Sequence, residues 1–246
     1  SGSLGSYEIA SRLSYFLWSS MPDETLFQLA SKDQLSDPRV LAQQVDRMLD
    51  DEKAKSFVRN FSSMWLRLDK LGKMPPSEQF YRNLNVEQLM IEQVTRYFSD
   101  AVINNDPVKQ FIDSKYTYMN DVLGKWIYRR EDIRGSELRK MEVDDPRLGG
   151  IFVLPGVMTA TANGVDTSPV VRGVWVLENV LGLPPSPPPP DVEPLPTDTR
   201  GAVTIREQLL LHRKHAACNG CHRKIDPMGF AFENFDQVGR WRDKYP

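Results

Sequence analysis

At 246 residues the chain is long enough for one large domain or two ordinary ones. Hydrophobic residues make up 40% and charged residues 26%, with 11 Phe, 8 Tyr and 5 Trp, which is enough to fill a core and excludes a wholly disordered polymer. The 31 Lys and Arg against 33 Asp and Glu leave a formal charge of −2, so there is no electrostatic footing for a nucleic-acid partner or for docking on an anionic membrane. No apolar run approaches the ~18–20 residues of a spanning helix, and no membrane span is expected.

The first six residues, Ser1-Gly2-Ser3-Leu4-Gly5-Ser6, read as a tag or cloning linker, with any export signal already removed. From Tyr7 to about Leu71 the pattern is helical. Ile9, Leu13, Phe16 and Leu17 share one stripe of a first helix, and Ser19 to Glu24 ends it and opens a second, with Pro22 and two acids at the new start. Ser36-Asp37-Pro38 opens a third helix carrying Val40, Leu41, Val45, Met48 and Leu49. A fourth stripe runs Phe57, Val58, Phe61, Met64, Trp65 and Leu68. After a linker at Gly72–Pro76, a long helix is predicted from Val86 to Asn104, with Leu89, Met90, Val94, Tyr97, Phe98, Ala101 and Val102 inward. Residues 7–130 therefore read as a helical bundle, and the stretch Phe111–Trp126 as a turn followed by a further helix.

Residues 131–246 read as a second unit. A short strand is possible only around Leu138–Val143, inside a charged, glycine-containing loop. Thr167-Ser168-Pro169 predicts the start of a helix from Val170 to Leu181, with Gly182 stopping it. The segment 183–196 is so dense in proline that it must be extended, and it reads as a strap over the protein's own surface in preference to a docking ligand. Helix signals resume at Thr204.

The chemistry sits near the carboxyl end, in Cys218-Asn219-Gly220-Cys221-His222. This is the attachment pattern of a c-type haem: two thiols on one face of a helical turn add to the two porphyrin vinyl groups, and the next residue brings an imidazole to the iron. Two Cys and 3 His scattered at random would fall into this order on the order of once in ten thousand sequences, and the motif consumes both cysteines. Three alternatives compete. A disulfide across so short a loop would stabilise little, and a thioredoxin-like pair wants a βαβ setting. Zinc would need two further ligands, for which His212, His215 and His222 are the available imidazoles.

The residues around the motif resemble the haem c domain of planctomycete-type cytochrome c proteins. The resemblance is carried by His212-Arg213, Ile225-Asp226-Pro227-Met228-Gly229-Phe230, Glu233-Asn234-Phe235-Asp236 and Gly239-Arg240-Trp241-Arg242. Further upstream, Arg147-Leu148-Gly149-Gly150, Thr159–Asn163 and Thr167–Gly173 fit the same domain. Ala10–Trp18, Pro22-Asp23 and Arg47-Met48-Leu49 resemble the helical domain of unknown function that precedes it. The resemblance implies a longer parent protein, one covalent haem c and a redox context, but no substrate.

His222 is the expected proximal ligand, its other ring nitrogen donating to a backbone carbonyl in the Ile225–Pro227 turn. His212 is the first candidate for the distal position, and Met228 and Met158 are weaker ones that also read as core methionines. Arg172, or Arg240 and Arg242, could pair with the haem propionates, while Phe230 and Trp241 would wall the pocket. Glu233 and Asp236 read as surface or capping groups. The expected fold is mostly α, an N-terminal helical bundle packed on a C-terminal α-rich c-type haem domain with long loops and a proline-rich strap. The expected function is one-electron transfer in an exported, periplasmic or cell-surface protein, with a redox protein or another domain as partner. A haem enzyme with an open iron face, and a partner- or polymer-binding module with structural haem, are the alternatives.

Overall fold

A computed structural model describes residues 4–73, 86–162, 167–187, 204–213 and 216–244. In chain order these form α1 (Ser6–Trp18), α2 (Glu24–Ser31), α3 (Pro38–Leu49), α4 (Lys55–Trp65) and α5 (Val86–Ile103). There follow β1 (Tyr116–Met119), α6 (Asp121–Trp126), β2 (Arg139–Glu142), α7 (Pro155–Ala160), α8 (Pro169–Trp175), α9 (Ile205–His212) and α10 (Ala216–Phe230). The fold is mostly α, as expected.

The first helix starts earlier than the linker reading of residues 1–6 allows. Gly5 donates its N–H to Glu8 at 2.9 Å, and the Ser6 hydroxyl, buried, donates to Asp33 at 2.6 Å. Gly5 and Ser6 thus belong to the folded chain. The buried face of α1 is also rotated from the stripe proposed: Ala10, Ser14, Leu17 and Trp18 are buried, whereas Phe16 is 57% exposed. Phe16 packs instead on Phe57, 5.1 Å between ring centroids.

Two motif fragments distant in sequence meet here. Asp23 caps α2 by accepting from the Leu26 N–H at 2.9 Å and takes Arg47 at 2.7 Å. Burial pushes the Asp23 carboxyl up, but these bonds and the Arg47 charge outweigh it and hold the carboxyl below its usual 3.8. Beside them the Trp18 indole donates to the Met48 carbonyl at 2.9 Å, with the Arg47 guanidinium 5.4 Å from its ring.

A small core of Ala10, Leu17, Trp18, Leu26, Leu35 and Met48 lies under α1–α3. The main core draws on both ends of the chain: Val58 and Leu66 near α4, Met90, Val94, Tyr97 and Phe98 from α5, then Ile151, Leu154, Trp175, Phe235 and Val238. The boundary expected at residue 130 therefore divides no core. It also runs through a sheet, because β1 pairs antiparallel with β2, Tyr116 opposite Glu142 and Met119 opposite Arg139. The two halves are latched by a reciprocal pair of bonds: the Trp65 indole donates to the Asn179 carbonyl at 2.7 Å, and the Asn179 amide to the Trp65 carbonyl at 2.9 Å.

Candidate functional site

Ser168 caps α8, accepting from the Val171 N–H at 3.3 Å, and Pro169 fills the first helical position, where no N–H is needed. α8 then crosses α10 backbone to backbone. A Cβ on Gly229 would lie 1.7 Å from the Pro169 carbonyl oxygen, and one on Gly173 would lie 2.2 Å from that of Ile225. No side chain fits between the two helices at these points, so their crossing is fixed by glycine.

Arg172 locks the loop that follows α10. It is 0% exposed, and its guanidinium donates to the carbonyls of Phe232 at 2.8 Å, Phe235 at 2.7 Å and Asp236 at 2.8 Å. Glu233 stands 3.6 Å away and also takes Thr167 at 2.7 Å and Arg242 at 3.3 Å. Asp236 accepts from the N–H of Val238 and of Arg240 and from the Arg240 side chain at 2.7 Å. Glu233 and Asp236 are thus buried members of a charge network, a correction to their reading as surface groups. Each burial is compensated by an arginine or by backbone donors, as an interior carboxylate requires.

On α10 so held, Cys218, Cys221, His222, Ile225 and Asp226 recur every three or four residues along one side. Both thiols are partly exposed and outside any disulfide. The His222 side chain is 12% exposed, and its Nδ1 lies 2.8 Å from Asp226 Oδ1, one turn along the helix. The partner of that nitrogen is a carboxylate, not the backbone carbonyl expected. Asp226 is itself 1% exposed, with Arg213 3.9 Å from its other oxygen.

Beside Cys221 runs a groove of about 700 Å³. One wall is Gly220, Cys221, Pro227 and Met228, with Arg223 and Lys224 at the rim; the other is Leu177 and the segment Leu181–Ser186. That segment turns away from a single π turn at Val176–Val180 through Gly182, at φ +64°, and the Leu183 N–H returns to the Leu177 carbonyl at 2.7 Å. The proline-rich strap thus begins as a wall of this groove, and its continuation over 188–196 lies outside the described residues.

Residues 4–128 match the family PSD4, a protein of unknown function (DUF1592). The chain belongs to this family. Residues 148–245 match PSCyt3, a second protein of unknown function (DUF1588), and both families are named for planctomycete cytochrome-like domains. The pair places the chain in the planctomycete-type cytochrome c protein family. No curated protein and no solved structure matches it.

In this PSD4–PSCyt3 chain the residues singled out from sequence are only partly brought together. Cys218, Cys221 and His222 share one side of α10, but of the three only Cys221 lines the groove, where Met228 joins it. Phe230, half a turn round α10 from Cys221, packs instead under Arg206, whose guanidinium is 4.1 Å from its ring. Trp241 stacks edge-on against Phe235 at 5.3 Å with Arg147 at 4.6 Å, so neither aromatic lines the groove. Arg172, Arg240 and Arg242 are engaged in the network behind α10, which leaves Arg223 and Lys224 as the cations at the groove. Met158 is fully buried in the main core. His212 ends α9, but its side chain, like the whole of His215, lies outside the described residues. Among the described residues no group of three or more His, Cys, Asp and Glu gathers into a metal cage. Sequence reasoning missed Asp226 and the pair Arg223–Lys224; the four-residue step from His222 to Asp226 was the available signal.

Proposed function

We propose that this chain carries one covalent haem c, attached through Cys218 and Cys221 with His222 as proximal ligand, and passes single electrons in an exported protein. The observation that supports it most is the face of α10. Two thiols stand about one turn apart with the imidazole following, and an apolar groove opens at Cys221. The donor set fits the group: two unbridged thiols for the vinyl carbons, and one imidazole whose Nδ1 is already bonded, so that Nε2 carries the lone pair. Bound there, a haem supplies one-electron redox chemistry.

The remaining work falls to this chain's own side chains. Leu177, Leu181 and Met228 give the groove its apolar lining, and Arg223 and Lys224 would offer charge-assisted hydrogen bonds to two propionates at the rim. His212 would be the first candidate for a second iron ligand and Met228 the second. Export follows from the chemistry, because thioether attachment of this kind is completed outside the cytoplasm, and the electron partner is a redox protein or another domain.

Matured in a host with haem-attachment machinery, the protein should give a c-type pyridine haemochrome and keep its haem through denaturation. The double variant Cys218→Ser, Cys221→Ser should release it. A bare wild-type chain after such maturation overturns the reading. Low-spin spectra unmoved by carbon monoxide favour electron transfer; a carbon monoxide adduct favours an open, enzymatic iron face.

A further inference from the structure

We infer that Asp226 sets the iron's electron affinity, pulling on the His222 Nδ1 proton so that the site is held at low potential and acts as an electron donor. The inference rests on the haem reading above and goes one step past it. A carbonyl partner merely orients an imidazole. A carboxylate partner also gives it imidazolate character and makes Nε2 a more basic donor, which stabilises ferric over ferrous iron. The geometry for this is in place: Nδ1 to Oδ1 is 2.8 Å, and Asp226 is 1% exposed, so little water is present to weaken the pull.

The pull is moderated from a second element. Just beyond α9, Arg213 places its guanidinium 3.9 Å from Asp226 Oδ2 and donates to Asn219 Oδ1 at 3.3 Å. Arg213 thus touches both the residue that polarises His222 and a residue inside the attachment motif. Its charge draws on the same carboxylate from the opposite side, so Asp226 and Arg213 are positioning residues with opposed effects.

The test is a potentiometric titration of haem-loaded wild type, Asp226→Asn, Asp226→Glu and Arg213→Gln, each checked for haem stoichiometry, with the hyperfine-shifted His222 Nδ1 proton followed by NMR. Asp226→Asn should raise the potential and move the proton resonance, Asp226→Glu should restore both towards wild type, and Arg213→Gln should lower the potential. A merely structural role would not give shifts of opposite sign. Should Asp226→Asn fail to load haem, Arg213→Gln decides: a downward shift supports the inference, and none overturns it. Unchanged potentials in haem-loaded Asp226→Asn and Arg213→Gln overturn it while leaving the proposed function standing. A wild-type chain without haem overturns both.

Discussion

Arg172 heads the fully buried side chains among the described residues, and its charge goes to three carbonyls of the loop after α10. Replacing it by Leu would strand those carbonyls and leave Glu233 with one charged neighbour fewer. The expected loss is about 3–5 kcal/mol, read as a fall in the chemical-denaturation midpoint, and Arg172→Lys should not recover it, because an ammonium cannot present the same fork. The sequence flagged this arginine but with the wrong partner. A cation beside a Ser-Pro cap looks like a rim residue, and nothing local records that a loop some 60 residues later folds its carbonyls over it. Asp226 was hidden for a different reason: it sits in the turn where a carbonyl was expected, and the helix simply continues through Pro227, which puts the carboxylate in reach of His222.

Between elements, the decisive contact is the crossing of α8 and α10. Gly229→Ala would drive a methyl carbon into the Pro169 carbonyl, and backbone cannot step aside as a flexible side chain can. A loss of about 3 kcal/mol or more is expected in thermal or denaturant unfolding, whereas Gly220→Ala, with open space around its Cβ position, should change little. Most helices were legible in the sequence, since their caps and three-to-four spacing are local signals. α5 buries Met90, Val94, Tyr97, Phe98 and Ala101, all on the stripe read from sequence. α4 is less regular: Met64 lies on the apolar stripe yet is 75% exposed, and Ser62 takes a buried place by donating to the Val58 carbonyl at 2.7 Å. β1 escaped notice altogether. Four residues, Tyr-Thr-Tyr-Met, are too few to show a period, and the strand exists because β2, about 20 residues on, supplies its hydrogen bonds.

For the whole molecule, the two family matches suggest two modules, but the packing does not separate them. Phe98 of the first and Trp175 and Phe235 of the second belong to one core, and the β1–β2 ladder ties residues on either side of position 130. Fragments 4–130 and 131–246 should therefore each unfold without cooperativity and bind the apolar dye ANS, and mixing should restore a single sharp transition. Two independent transitions of unchanged midpoint would show the opposite. Neither half advertises this dependence in sequence, because each carries enough apolar residues to look self-sufficient.

The Trp65–Asn179 latch gives the groove an unexpected mechanical property. Asn179 lies in the turn from which the wall Leu181–Ser186 hangs, so the cleft beside Cys221 is braced by a residue 114 positions earlier in the polypeptide. Anything wedged against that wall would strain or tighten an indole hydrogen bond far along the chain, and the indole N–H resonance of Trp65 becomes a built-in gauge of whether the cleft is filled.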